Sequence, residues 1–274
     1  MLRHLRKSVV FGVMLVGLTT SATAQGAGDL LVAPTRVVLD GARGTEVILN
    51  NIGAVTATYR ITLELRRMRS DGSLEEVDPA KASAIETAAL AMISYAPRRV
   101  VLPPNQPQSI RIGVRAPQGL PDGEYRAHML FRAIPAPRPA VASDAAKEGV
   151  SIALTPIYGV TIPIIVRQGN LSAKAAISDA KTSHVGDSDM FSFMLSRTGT
   201  RSTYGRIRVL KPGVTKPLID ARGISVYADT TDRRVVFPVD PVILAQLKGP
   251  VTIQYLEDND TSSGTIAELK TVIR

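Results

Sequence analysis

Cysteine is absent from all 274 residues. That excludes a disulfide framework, a thiolate zinc site and a thiol nucleophile. Stability must then come from buried apolar surface, which two domains of about 110 to 140 residues can supply. Histidine is nearly absent: His4, His128 and His184 are the whole set. Catalysis therefore lacks its commonest base. No Gly-x-Ser-x-Gly, His-Glu-x-x-His or Walker spacing occurs either. We expect no enzymatic activity and no cofactor. We expect no metal: the acidic stretch EDNDTSSG (257–264) reads better as a hairpin turn, and GDSD (186–189) as a loop. Basic segments interleaved with aromatics are lacking too, so the net charge of +9 does not point to nucleic acid.

Long apolar runs are missing everywhere but at the start. There, MLRHLRK supplies a basic segment, SVVFGVMLVGLTT an apolar one, and Ala22 to Ala24 a small-residue cleavage site. This reads as an export signal over residues 1–24, too short and one-sided for a membrane span. Removing Arg3, Arg6 and Lys7 leaves +6 on the mature chain.

What is abundant is period-two alternation, the mark of half-buried strands. YRITLELRRM sets Tyr59, Ile61, Leu63 and Leu65 on one face, and Asp71-Gly72 follows as a hairpin turn. PDGEYRAHMLFRAIP turns Tyr125, Ala127, Met129 and Phe131 inward and Arg126, His128 and Arg132 outward. His128 reads as a surface or structural residue, and Tyr125 resembles a tyrosine corner. One short helix is expected near 86–93, from ETAALAMI. Composition shifts at PAPRPAVASDAAKEG (135–149), a loop or linker without periodicity. After RQGN, six further strand-like runs follow, from MFSFML to TIAELKTVI, with His184 in a loop before them. The fold class is all-β: a first sandwich over residues 25–166 and a second over 167–274.

VSIALTPIYGVTIPIIVR (150–167) stands apart. Every even position from Val150 to Val166 is apolar. The run is about three times an ordinary strand of five or six residues. One small sheet cannot cover so much apolar face.

Three separated motifs bear on this: PTRVVLDG, YAPRRVVLPPNQPQSIRI and LPDGEYRAHMLFRAIP. In this order and spacing the chain resembles, over roughly residues 31–166, the periplasmic pilus chaperones of the bacterial chaperone–usher pathway. The resemblance implies two immunoglobulin-like domains set at an angle, boomerang-like. It implies a periplasmic protein that binds and folds pilus subunits and delivers them to an outer-membrane usher. Such a chaperone lends its long strand to a subunit lacking one. Val150, Ile152 and Leu154 would be offered to the subunit; Val160, Ile162, Ile164 and Val166 would stay in the chaperone's own core. A weak self-capping dimer would protect the lent edge. The resemblance further implies that Arg36 holds the subunit's C-terminal carboxylate, as suits a guanidinium fork. The family's partner lysine does not carry over. Its position falls on Pro163, and no lysine occurs between Lys147 and Lys174. Arg98, Arg99 or Arg167 could assist instead, or backbone amides. A proline there fits an amide that needs no ladder partner, near the domain junction. The other reading open at this point is a structural or adhesive cell-surface protein built of immunoglobulin-like domains.

Overall fold

The structure is a computed structural model that describes residues 29–40, 44–135, 156–257 and 264–274. Among them, no helix is long and apolar enough to cross a membrane. In the first half, strands run β1 (Leu30–Ala33), β2 (Val37–Asp40), β3 (Thr45–Asn51), β4 (Ala57–Met68) and β5 (Leu74–Val77). Helix α1 (Ala84–Met92) leads to β6 (Ile93–Ala96), β7 (Arg99–Leu102), β8 (Pro107–Val114), β9 (Gly123–Ile134) and β10 (Gly159–Gln168). The second half holds β11 (Ala173–Val185), β12 (Ser188–Gly199), β13 (Thr203–Leu210), β14 (Ile219–Val226) and β15 (Asp232–Val239). Helix α2 (Pro241–Leu247), β16 (Gly249–Glu257) and β17 (Thr265–Ile273) complete it.

These elements make two sandwiches. In the first, the sheet β1-β3-β8-β6 packs on a sheet ordered β2-β10-β9-β4-β5, with β7 also on β4. Tyr59, Ile61, Tyr125, Ala127, Met129 and Phe131 fill the space between, as their alternation predicts. The Tyr125 hydroxyl donates to the Pro121 carbonyl at 2.7 Å, the bond of a tyrosine corner in an immunoglobulin-like sandwich. The Asp71-Gly72 turn joins β4 to β5, with Gly72 at φ 85°. Helix α1 begins at Ser83, whose hydroxyl accepts from the Glu86 amide while the Glu86 carboxylate accepts from the Ser83 amide. In the second sandwich, β11-β12-β15 faces β14-β13-β16-β17 over a core of Phe191, Phe193, Ile207, Ile253 and Tyr255.

Two second-half elements escape the periodicity reading. Strand β11 exposes most of its side chains and carries a bulge between Ser178 and Lys181, which spoils its alternation. His184 lies near its end, on a strand rather than in a loop. Helix α2 is one short segment capped by Asp240, with Pro241 in its first turn.

Strand β10 is the long strand of the sequence, and its described part begins at Gly159. It runs antiparallel to β9 along its whole length, from Gly159↔Arg132 to Gln168↔Gly123. On its other side β2 pairs only with Ile164 to Arg167, in parallel. The even positions Ile162, Ile164 and Val166 are buried in the first core, and Val160 is packed against it.

Candidate functional site

Two features set this chain apart from a plain pair of sandwiches: a half-open strand and a polar junction between the domains.

The half-open strand is β10. The Ala133 amide donates to the Tyr158 carbonyl at 2.9 Å, which continues the β9–β10 ladder beyond the strand's start. In an antiparallel ladder, hydrogen-bonded and non-bonded pairs alternate. Even positions of β10 therefore bond to β9, and odd positions turn their amides and carbonyls to the opposite edge. Among the described residues, nothing pairs with that edge over residues 159–163. Pro163 is an odd position, so its missing N–H faces the open edge and breaks no bond to β9. Just upstream, Ile157 and Tyr158 are each about half exposed, 49%. Val150, Ile152 and Leu154 lie outside the described residues.

The junction is built on the outer face of the first domain's larger sheet. Glu124, Arg126 and His128 of β9 share it with Ile165 and Arg167 of β10 and with Arg66 and Met68 of β4. His128 is not at the surface: it is only 1% exposed. Its ring meets the edge of Tyr227 from the second domain, with centroids 6.3 Å apart. Met68, Ile165 and Tyr227 form a small apolar cluster of their own. Around it the contacts are polar. Arg126 binds Asp229 with both terminal nitrogens, at 3.1 and 2.9 Å, and stacks on Tyr227 at 3.7 Å. Asp229 also accepts from the Met68 amide at 2.8 Å. The Arg234 amide donates to the Ser70 carbonyl at 2.6 Å. Glu124 Oε2 accepts from the Ser202 amide (3.0 Å), the Ser202 hydroxyl (2.8 Å) and Arg167 Nε (3.2 Å).

Arg36 enters this junction from the residue before β2. Its guanidinium lies 4.4 Å over the Tyr204 ring and reaches Ser202 Oγ at 3.4 Å. Its Nη1 is buried without a hydrogen-bond acceptor among the described residues. Burial lowers its pKa from the ordinary value; Tyr227 and Glu124 oppose this shift and Arg167 adds to it. The guanidinium stays charged all the same. It is thus a cation with a spare donor, held between two domains. Of the three arginines considered as its helper, only Arg167 shares the junction. Arg99 pairs with Arg60, at the opposite end of β4 from Arg66 and Met68. Arg98 stacks on Tyr95, 5.3 Å from its centroid. Arg167 is itself engaged by Glu124.

The burial of Arg126, Glu124, His128 and Ile165 was missed by period-two reasoning. Their alternation places them outward, and nothing local says that a second domain covers that outer face. Ile165, an apolar residue on the polar parity, was the available signal.

The fold and site thus define a two-domain β-sandwich protein with one half-open strand and an arginine-bearing junction. No family model and no curated relative matches the chain. Among solved structures it is similar to the YadV chaperone, at 14% identity and a TM-score of 0.47, over 89% of this chain and 100% of that one. It is also similar to the E. coli chaperone DraB, at 14% identity and a TM-score of 0.46, over 89% and 96%. A third is the Salmonella enterica SafA pilin in complex with the SafB chaperone, at 16% identity and a TM-score of 0.44, over 91% and 98%.

Proposed function

We propose that this chain is a periplasmic chaperone that lends a strand to pilus subunits and hands them to an outer-membrane usher, without catalytic activity. The observation that carries the reading is the open edge of β10 over residues 159–163. An incoming strand can pair there with the outward backbone groups of Gly159 and Thr161, as in β-augmentation. Upstream, the same even parity continues through Leu154, Ile152 and Val150, which fill the groove of a subunit lacking its last strand. Burying three such side chains contributes about 5 to 9 kcal/mol gross, at roughly 1.5 to 3 kcal/mol each. Free, the same edge invites self-pairing, which a weak capping dimer relieves. Arg36 holds the subunit's terminal carboxylate. Its unpartnered Nη1 supports that role, and Arg167 is the neighbouring cation in place of the missing lysine.

The test compares four single charged variants, Ile152→Asp, Leu154→Asp, Ile162→Asp and Ile164→Asp, by melting and by capture of a strand-deficient pilus subunit. The first two keep stability within about 1 kcal/mol of the parent, as surface changes do. They lose capture, because a charge in an apolar groove costs several kcal/mol. The last two sit in the core, 2% and 0% exposed, and unfold the first domain. Capture undiminished in the Ile152 and Leu154 variants overturns the reading. Melting as poor as that of the Ile162 and Ile164 variants does so too.

A further inference from the structure

The junction seals polar atoms that it does not satisfy. Both ring nitrogens of His128, Glu124 Oε1, Arg126 Nε and Arg36 Nη1 are buried without hydrogen-bond partners among the described residues. All five belong to residues on or beside one contact between the two domains. These atoms have essentially no accessible surface while the domains are closed, so a carboxylate on Arg36 meets its other guanidinium nitrogens or enters as the domains part. Separating the domains hydrates these atoms. A buried donor or acceptor left unpaired is a standing cost, and here five such atoms lie where the two sandwiches meet.

We propose that the domain junction is an acid-opened switch centred on His128, with Tyr227 of the second domain as the lid over its ring. The charges facing His128 decide the direction. Arg126 lies two residues away on β9, and Arg66 approaches from β4. Glu64 stands opposite on β4, but its carboxylate is engaged by Arg66 at 2.6 Å. From β10, Pro163 stands opposite and offers no charge. From the second domain come Tyr227 and Asp229, and Asp229 is taken up by Arg126. A proton on His128 therefore has no free anion to meet and two guanidinium groups to avoid.

Burial first, and Arg126 and Arg66 next, push the His128 pKa down to about 3 while the domains are closed. Once Tyr227 lifts and the ring meets water, the burial contribution is relieved and the value rises toward the ordinary 6.5, held somewhat below it by Arg126 and Arg66, which stay on the first domain. The open state then binds the proton and the closed state does not. Closure is favoured above about pH 6.5 and weakens steadily as pH falls from there toward 3. With 6.5 as the upper limit for the open ring, the open-to-closed ratio rises by up to about 25-fold between pH 7 and pH 5. Arg36 shares the junction, so the same opening moves Tyr204 and Ser202 off its guanidinium. The switch itself does not depend on what Arg36 binds.

Three backbone amides report the opening directly, because each is held across the domain boundary: Met68 to Asp229, Ser202 to Glu124 and Arg234 to Ser70. Hydrogen exchange detects such openings even when the open fraction is very small. The experiment measures exchange on the full chain at pH 7 and pH 5, corrected for the intrinsic rate at each pH. Protection of the three amides should fall severalfold, by up to about 25-fold, in the parent protein. Core amides such as that of Ile253 should not change. His128→Phe, which cannot titrate, should abolish the fall, and His128→Gln serves if the Phe variant does not fold. His184→Gln, at an exposed site in the second domain, should keep it. Constant protection in the parent, or an equal fall in the His128 variants, overturns the proposal.

Discussion

Replacing Asp229 tests whether the two sandwiches are held as the junction geometry implies. Asp229→Ala removes both carboxylate acceptors of Arg126 and the acceptor of the Met68 amide. The Arg126 side chain is 10% exposed and that of Asp229 25%, so the guanidinium left behind is the more deeply buried partner. Breaking a buried pair by removing one member costs about 3 to 5 kcal/mol. Partial exposure of Asp229 and the remaining bond from Arg126 Nη2 to the Arg66 carbonyl, at 2.8 Å, put the expected loss at the lower end, about 3 kcal/mol. Arg126→Met should cost less, about 1 to 2 kcal/mol, because the stranded carboxylate can reach water and keeps the Met68 amide. The double variant should be no worse than Arg126→Met, giving a coupling of about 3 kcal/mol. Urea unfolding of the four proteins at pH 7 measures this, and raising the salt to 1 M should leave most of the coupling, since the pair is shielded from mobile ions. A coupling below about 0.5 kcal/mol, the size of an exposed pair, would refute the buried-latch account.

Two further expectations concern single positions. Arg67, followed by the Ser83 bonds, holds the Glu86 carboxyl down at about 2, below its ordinary 4.5. Its stabilising effect is then present above about pH 4.5 and lost as pH falls toward 2. The stabilities of the parent and of Glu86→Gln should differ at pH 6 and converge near pH 2, and a constant difference across that window contradicts the assignment. Gly205 stands at the β13 bulge, where an added Cβ would lie 2.2 Å from the Leu256 carbonyl oxygen and 2.5 Å from the Tyr255 ring. Since backbone cannot yield as a side chain does, Gly205→Ala should cost about 3 kcal/mol or more, read by thermal melting of the second domain.

Much of this protein is determined by its sequence alone, because half-buried strands write their burial into a two-residue period. Tyr59, Ile61, Tyr125, Ala127, Met129 and Phe131 line the first core as their alternation requires. Ile162, Ile164 and Val166 do the same on the long strand. The turn at Asp71-Gly72 and the capped helix after Ser83 are equally local, fixed by a positive φ and by side chains closing on nearby amides. Where the local pattern is weak, as on the exposed and bulged β11, the strand went unseen. The junction was decided only by tertiary structure. Period two assigns Glu124, Arg126 and His128 to the outer face of a sheet, and they do lie on it. Whether water or a second domain covers that face depends on Tyr227, Asp229 and Ser202, which are about 75 to 105 residues further along the chain. Alternation records which side of a strand faces its own core. It carries no record of what another domain lays against the other side.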